Sequence, residues 1–142
     1  MGREKPDVEN KALVQRWFDE VWNKGREAAI DEMLAPRAAV HVGPDMIGPE
    51  GFKRFHTAYR TAFPDVKVTI EDMVAEGDRV ALRWRATATQ KGPLLNVPAT
   101  GKPVTFEGMG IVRVDKGMIV EGWNLFDQLG MFTQLGVVNL AG

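Results

Sequence analysis

Asp127 is the acid whose setting invites chemistry. It stands among Trp123, Leu125, Phe126, Leu129 and Phe132, in the stretch GMGIVRVDKGMIVEGWNLFDQLGMFTQLG at 108–136. A carboxylate facing an apolar cavity is poorly solvated, so its pKa rises and it becomes a stronger base. Such a group can remove a proton alpha to a carbonyl while a nearby donor stabilises the enolate. The same residue is equally placed to cap a short helix beginning near Gln128, and backbone N–H groups would then lower its pKa. Both roles are open at the level of the residues.

The chain has two histidines. His41 lies on a short strand and could donate to a substrate carbonyl or titrate near neutral pH, or simply bond to backbone. His56 flanks an apolar helix face, which puts it at a pocket mouth or on the surface. Arg113 precedes the hairpin turn Asp115-Lys116-Gly117. Trp17 or Trp22 could pack in the core or wall a cavity. Tyr59 shares a helix face with Phe52, Phe55 and Phe63 and is a second candidate to touch a ligand. Trp123 has the strand parity of Asp127, which makes it a pocket candidate. Arg83 and Arg85 alternate with Leu82 and Trp84 and therefore share a face, expected to be the solvent or subunit-contacting one; pointing inward instead, they would bind an anionic substrate group.

The elements that must position these groups are legible from spacing. Leu13, Val14, Trp17, Phe18, Val21 and Trp22 recur every three or four residues, which predicts a helix from an N-cap at Asp7 or Asn10 to about Asn23, after a disordered lead-in over residues 1–6. Gly25 breaks it. A second helix carries Ala29, Ile30, Met33 and Leu34 and stops at Pro36. A short strand covers 38–42, and Gly43, Pro44, Gly48 and Pro49 bracket a loop. Pro49 opens a third helix that ends before Pro64. About four strands follow as a meander, with turns at Glu76-Gly77-Asp78 and Asp115-Lys116-Gly117. The segment QKGPLLNVPATGKP at 90–103 is long for a hairpin loop and is expected to close a pocket or contact another subunit. Helices before an antiparallel sheet predict an α+β domain, with three N-terminal helices over one face of a curved sheet and a cavity between them.

Composition sets the outer bounds. The 142 residues fit one domain, 1–142, with 44% hydrophobic and 26% charged residues and a net charge of −1. That balance implies no nucleic-acid or anionic-membrane partner. With no cysteine, thiolate metal sites and a Cys nucleophile are excluded. No apolar run reaches membrane-spanning length and no signal-peptide core is seen, so a cytoplasmic location is expected.

Several motifs, taken in order, resemble the SnoaL-like polyketide cyclase family of the nuclear-transport-factor-two-like superfamily. They are AlaPheProAsp at 62–65, GluGlyAspArgVal at 76–80, ArgTrp at 83–84, ProAlaThrGlyLysPro at 98–103, and IleValGluGlyTrp…Asp…GlnLeuGly at 119–136. The resemblance implies a cone-shaped α+β fold. It also implies an intramolecular aldol condensation that uses no metal or cofactor, with an aspartate on the last strand as general base. The matching aspartate is Asp127. The family's histidine on the preceding strand is absent, and Arg113 stands roughly in its place. An Asp–Arg–Asp set of the kind used by epoxide hydrolases on this fold could be drawn from Arg113, Asp115 and Asp127. Turn chemistry already accounts for Asp115.

The expectation is therefore a cyclase- or isomerase-type enzyme acting on a small hydrophobic carbonyl compound. Asp127 is the base, His41 or Arg113 polarises the oxygen, and Trp17, Trp123, His56 and Tyr59 shape the site. A non-catalytic ligand-binding module is the alternative, and a dimerisation module with a self-filled core is a third reading. A homodimer or higher homo-oligomer is expected through the outer sheet face.

Overall fold

The structure, a computed structural model, describes residues 4–138. Apolar residues at helical spacing wind α1 over Glu4–Trp17, which continues as a π-helical segment at Phe18–Asn23. The helix starts earlier than its expected caps. Glu4–Pro6 form its first turn, where Pro6 has no intrahelical N–H bond to lose. Residues 1–3 of the expected lead-in lie outside the described residues. Gly25, at φ 68°, turns the chain into α2 at Ala28–Met33.

Leu34 does not extend α2; it begins β1 at Leu34–His41. Pro36 lies inside that strand, where the pairing with the neighbouring strand shifts register between Leu34 and Ala39. A residue without an N–H is tolerated at such an irregularity. The expected loop contains a three-residue strand, β2 at Asp45–Ile47, before α3 at Gly48–Ala62. The meander is β3 at Lys67–Glu76, β4 at Arg79–Thr89, β5 at Pro103–Asp115 and β6 at Met118–Phe126, closed by α4 at Gln128–Gln134.

The six strands form one sheet in the order β2-β1-β6-β5-β4-β3. All pairs are antiparallel except β1 with β6, so the sheet is mixed rather than purely antiparallel. Burial follows the two-residue period: Val80, Leu82, Trp84, Ala86 and Ala88 of β4 are buried while Arg79, Arg83 and Arg85 are exposed. The buried side packs against the helices in one continuous core that also holds Val14, Ile30, Phe52 and Phe63. Among the described residues the opposite side of the sheet carries no helix, as the exposure of Arg83, Met109 and Leu125 records.

Candidate active site

Between the helices and the sheet lie two adjoining voids of about 60 and 70 Å3. Phe18, Trp22, Phe55 and Asn124 border both, so these residues form the waist of one elongated cavity. The π-helical segment sets two of them. Its Lys24 N–H donates to the Asp19 carbonyl five residues back, and Phe18 and Trp22 both turn inward. Asn23 locks the segment to β3: its amide oxygen accepts from Val68 N–H at 2.6 Å and its amide N–H donates to the Val68 carbonyl at 2.9 Å. A wider turn leaves carbonyls without their usual partners, and α3 supplies donors. His56 Nε2–H donates to the Val21 carbonyl at 2.7 Å, and Arg60 donates to the Trp22 carbonyl at 3.2 Å.

The cavity wall is almost wholly apolar, and Asn124 is its polar exception. The β5–β6 register pairs Gly110 with Asn124, Val112 with Gly122 and Gly108 with Phe126, and all of these face the helices. Trp84 Nε1–H donates to Asn124 Oδ1 at 3.0 Å. Because an indole nitrogen can only donate, this bond fixes the amide's orientation and turns its NH2 group away from Trp84, as a donor. Gly108 makes the contact possible. A Cβ there would lie 2.3 Å from the Trp84 ring, so only glycine lets the indole cross β5 to reach Asn124. Among the described side chains bordering the two voids, Tyr59 alone is ionisable. Burial raises its pKa, against an opposing hydrogen bond from Gln128, so it is a neutral phenol at physiological pH.

The expected site residues are divided by the sheet. Trp17 and Tyr59 border the cavity. His56 is buried at 3% exposure instead of lying at a mouth or surface, because it serves the Val21 carbonyl. Burial pushes its pKa down. His41 and Arg113 are on the outer face, in register with Trp123 and Glu121 respectively. His41 Nδ1 lies 2.7 Å from Asp45 and its Nε2 2.9 Å from Glu121, and Arg113 donates to Glu121 at 3.2 Å. The Trp123 ring stacks on His41 at 5.6 Å and lies under the Arg79 guanidinium at 5.4 Å. Trp123 touches the border of the second void, but these ring partners hold its indole outside.

Asp127 is exposed, and its Oδ1 accepts from Gly130 N–H at 2.8 Å as the cap of α4. The apolar setting expected for its carboxylate is thereby corrected: the apolar neighbours in sequence alternate around the strand and do not enclose it. Asp115 is the last residue of β5, paired with Met118 at the far end of the hairpin from Asp127, and Arg113 is engaged by Glu121, so these residues form no Asp–Arg–Asp site. Sequence reasoning missed Asn124. The signal was present, since Asn124 has the parity of Gly122 and Phe126 and is the one strongly polar residue of that inward row.

Known proteins can be set beside this geometry. The family model for SnoaL-like polyketide cyclases matches residues 12–135. The chain belongs to the SnoaL-like polyketide cyclase family. Its relatives include aklanonic acid methyl ester cyclase DauD of Streptomyces sp. (strain C5), 30% identical over 87% of this chain and 80% of that protein. A second is aklanonic acid methyl ester cyclase DnrD of Streptomyces peucetius, 30% identical over 87% of this chain and 88% of that one. Among solved structures, one from Jannaschia sp. CCS1 assigned as SnoaL-like superposes with a TM-score of 0.86 at 26% identity, covering 94% of this chain and 95% of the other. The cone-shaped α+β fold expected from the motifs is thus that of the family, and a cyclase role has the support of its homologues. Among the described residues no helix is long and apolar enough to cross a membrane.

Proposed function

We propose that this family member is a cofactor-independent, cyclase- or isomerase-type enzyme acting in the cytoplasm on a small hydrophobic carbonyl compound held in the cone cavity. The observation that carries the reading is the oriented Asn124 amide at the waist of an otherwise apolar cavity. In it, an N–H donor of fixed direction meets little competing water, which is the condition for stabilising charge that develops on a carbonyl oxygen.

The roles expected from the resemblance change in one respect: Asp127 is not the base in this reading. A substrate that enters as the enol of a dicarbonyl can supply its own nucleophile. The enol carbon forms the new C–C bond to the second carbonyl carbon, whose π bond breaks towards oxygen. The enol O–H proton passes to that oxygen, so a ketone and an alcohol result with no atom gained or lost. Asn124 donates to the carbonyl that becomes the alkoxide, and the apolar walls hold the chain folded. Proximity of this kind is worth on the order of 10⁵ M or more in effective concentration.

Two substitutions test the reading. Asn124→Leu keeps the volume and removes the donor; its turnover of an acyclic δ-diketone test substrate is expected to fall about 100-fold, as for loss of one oxyanion donor. Asp127→Asn keeps a good cap while removing the charge, and should change turnover less than about threefold. The reverse pattern would restore Asp127 as the base. The scarcity of ionisable groups in the wall also favours a second reading, a ligand-binding module without turnover. Saturable quenching of Trp22 and Trp84 fluorescence by carbonyl ligands, with no product formed, would establish it.

A further inference from the structure

The two voids that meet at the waist differ in chemistry. The first, of about 60 Å3, has the Tyr59 hydroxyl on its border as well as the Asn124 amide. The second, of about 70 Å3, adds rings, glycines and aliphatic side chains such as Val40, Val42 and Leu82, and no hydroxyl, amide or charge of its own. Both polar groups of the first void are left as donors. Trp84 occupies the Asn124 oxygen and frees its NH2 group. The Tyr59 oxygen receives a hydrogen bond from Gln128, which leaves the phenolic proton to be given elsewhere. The first lobe is thus built for oxygen acceptors and the second for hydrocarbon.

Gly122 makes the room in the second lobe. It stands opposite Val112 on the inward row, and a Cβ built on it meets nothing within 4 Å. At Gly108 and Gly110 the same space is taken, by the Trp84 ring and the Trp123 carbonyl. The size of the cavity then limits what enters. Even joined, the two voids are smaller than the ~150 Å3 apolar cavity that holds one benzene. The first lobe resists swelling because its walls interlock. The rings of Phe63, Phe106, Trp84 and Phe126 follow one another at centroid distances of 6.1, 5.9 and 6.1 Å, and Phe106 meets Phe126 at 5.8 Å.

Charge is limited as well. Among the described residues no charged side chain borders either void. His56 and Arg60 of α3 are spent on the Val21 and Trp22 carbonyls. A carboxylate drawn into the cavity would lose its hydration and find no counter-charge.

We infer that the cavity selects an uncharged carbonyl compound of about one ring, held with its oxygens between Asn124 and Tyr59 and a short hydrocarbon end against Gly122. The inference rests on the carbonyl reading above and narrows it. Fused multi-ring compounds and carboxylates are shut out, and Tyr59 and Gly122 set the specificity.

Calorimetric titration of the full chain with a ketone series tests this without requiring turnover. Cyclohex-2-enone and 3-ethylcyclohex-2-enone are expected to bind, and anthrone, with three fused rings, about 100-fold or more weaker. Methyl 3-oxocyclohexanecarboxylate should bind about 100-fold or more tighter than its free carboxylate. Gly122→Val should weaken the ethyl compound about 10-fold and leave cyclohex-2-enone within about threefold. Tyr59→Phe should weaken both enones about 10-fold and leave ethylbenzene, which has no oxygen, within about threefold. Unchanged circular dichroism checks that both variants fold. Anthrone or the carboxylate binding as tightly as its partner overturns the inference. So does a Gly122→Val or Tyr59→Phe chain with the wild-type pattern, or no binding of either enone up to about 10 mM. A chain that keeps these limits yet converts no δ-diketone would refute the enzyme reading alone. One that converts the diketone but accepts anthrone would refute this inference alone.

Discussion

At the scale of the residue, the two histidines of this chain are set in opposite directions by their partners. His41 is held between Asp45 and Glu121, whose hydrogen bonds raise its pKa above 6.5. The His41 hydrogen bond in turn lowers the pKa of Glu121, with help from Arg113. His56 is buried, and desolvation lowers its pKa below 6.5 despite the Val21 carbonyl. The signs of the linkage follow. A raised pKa means that His41 contributes stability in full below about 6.5 and loses it as pH rises through its folded value. Glu121 contributes above its ordinary pKa and loses that as pH falls through its lowered folded value. A depressed pKa means that His56 resists charging, so the native state loses stability as pH falls from about 6.5 towards the folded value. Proton NMR titration of the imidazole resonances should give one midpoint on each side of 6.5, the lower one vanishing in His56→Gln and the higher in His41→Gln. Two midpoints on the same side would contradict the assigned partners.

At the scale of the element, helix α4 is only seven residues long, and it depends on its cap and on buried Met131. Asp127→Ala should cost about 1 kcal/mol in urea unfolding, while Asp127→Asn should cost a few tenths or less, since asparagine caps as well as aspartate. Equal losses in the two would mean that the charge matters for something other than the cap. Strand β5 carries a different constraint. Gly108→Ala would drive a methyl into the Trp84 ring and the Leu125 carbonyl. Overpacking of this kind typically costs ~1–3 kcal/mol. It should also displace the Trp84–Asn124 hydrogen bond, seen as a shifted indole N–H resonance.

At the scale of the molecule, one sheet separates two environments. Its inner face, with Trp84, Asn124 and Phe126, meets the helices and encloses the cavity; its outer face, with Trp123, Leu125 and Met109, is uncovered by any helix among the described residues. The proposed chemistry lies on the first, and the two faces are predicted to separate experimentally. Substitution at Asn124 should abolish most turnover, while substitution at Leu125 should leave turnover per chain within about twofold, since surface changes away from a site rarely perturb it.

The sequence by itself determined the class of fold, the order of the main helices and strands though not the short β2, the turn at Lys116-Gly117 and membership of the SnoaL-like family. Those features are written in local signals: three- and four-residue apolar spacing, two-residue alternation, proline and glycine punctuation, and motifs in a fixed order. It also put Asp127 at a place where cap and base were both possible, and Arg83 and Arg85 on one shared face. Only the tertiary structure decided between them, because a strand's parity says which residues share a face but not which face the helices cover. The pairing of Gly110 with Asn124, and of His41 with Trp123, settles that. One residue of register separates Asn124, in the cavity, from Trp123 outside it, and that step carried His41, Arg113 and Trp123 to the far side of the sheet. His56 was hidden for a related reason. Its partner is a carbonyl released by a π-helical turn that no side-chain pattern announces, so its burial followed from a backbone hydrogen bond that exists only once α1 and α3 are packed together.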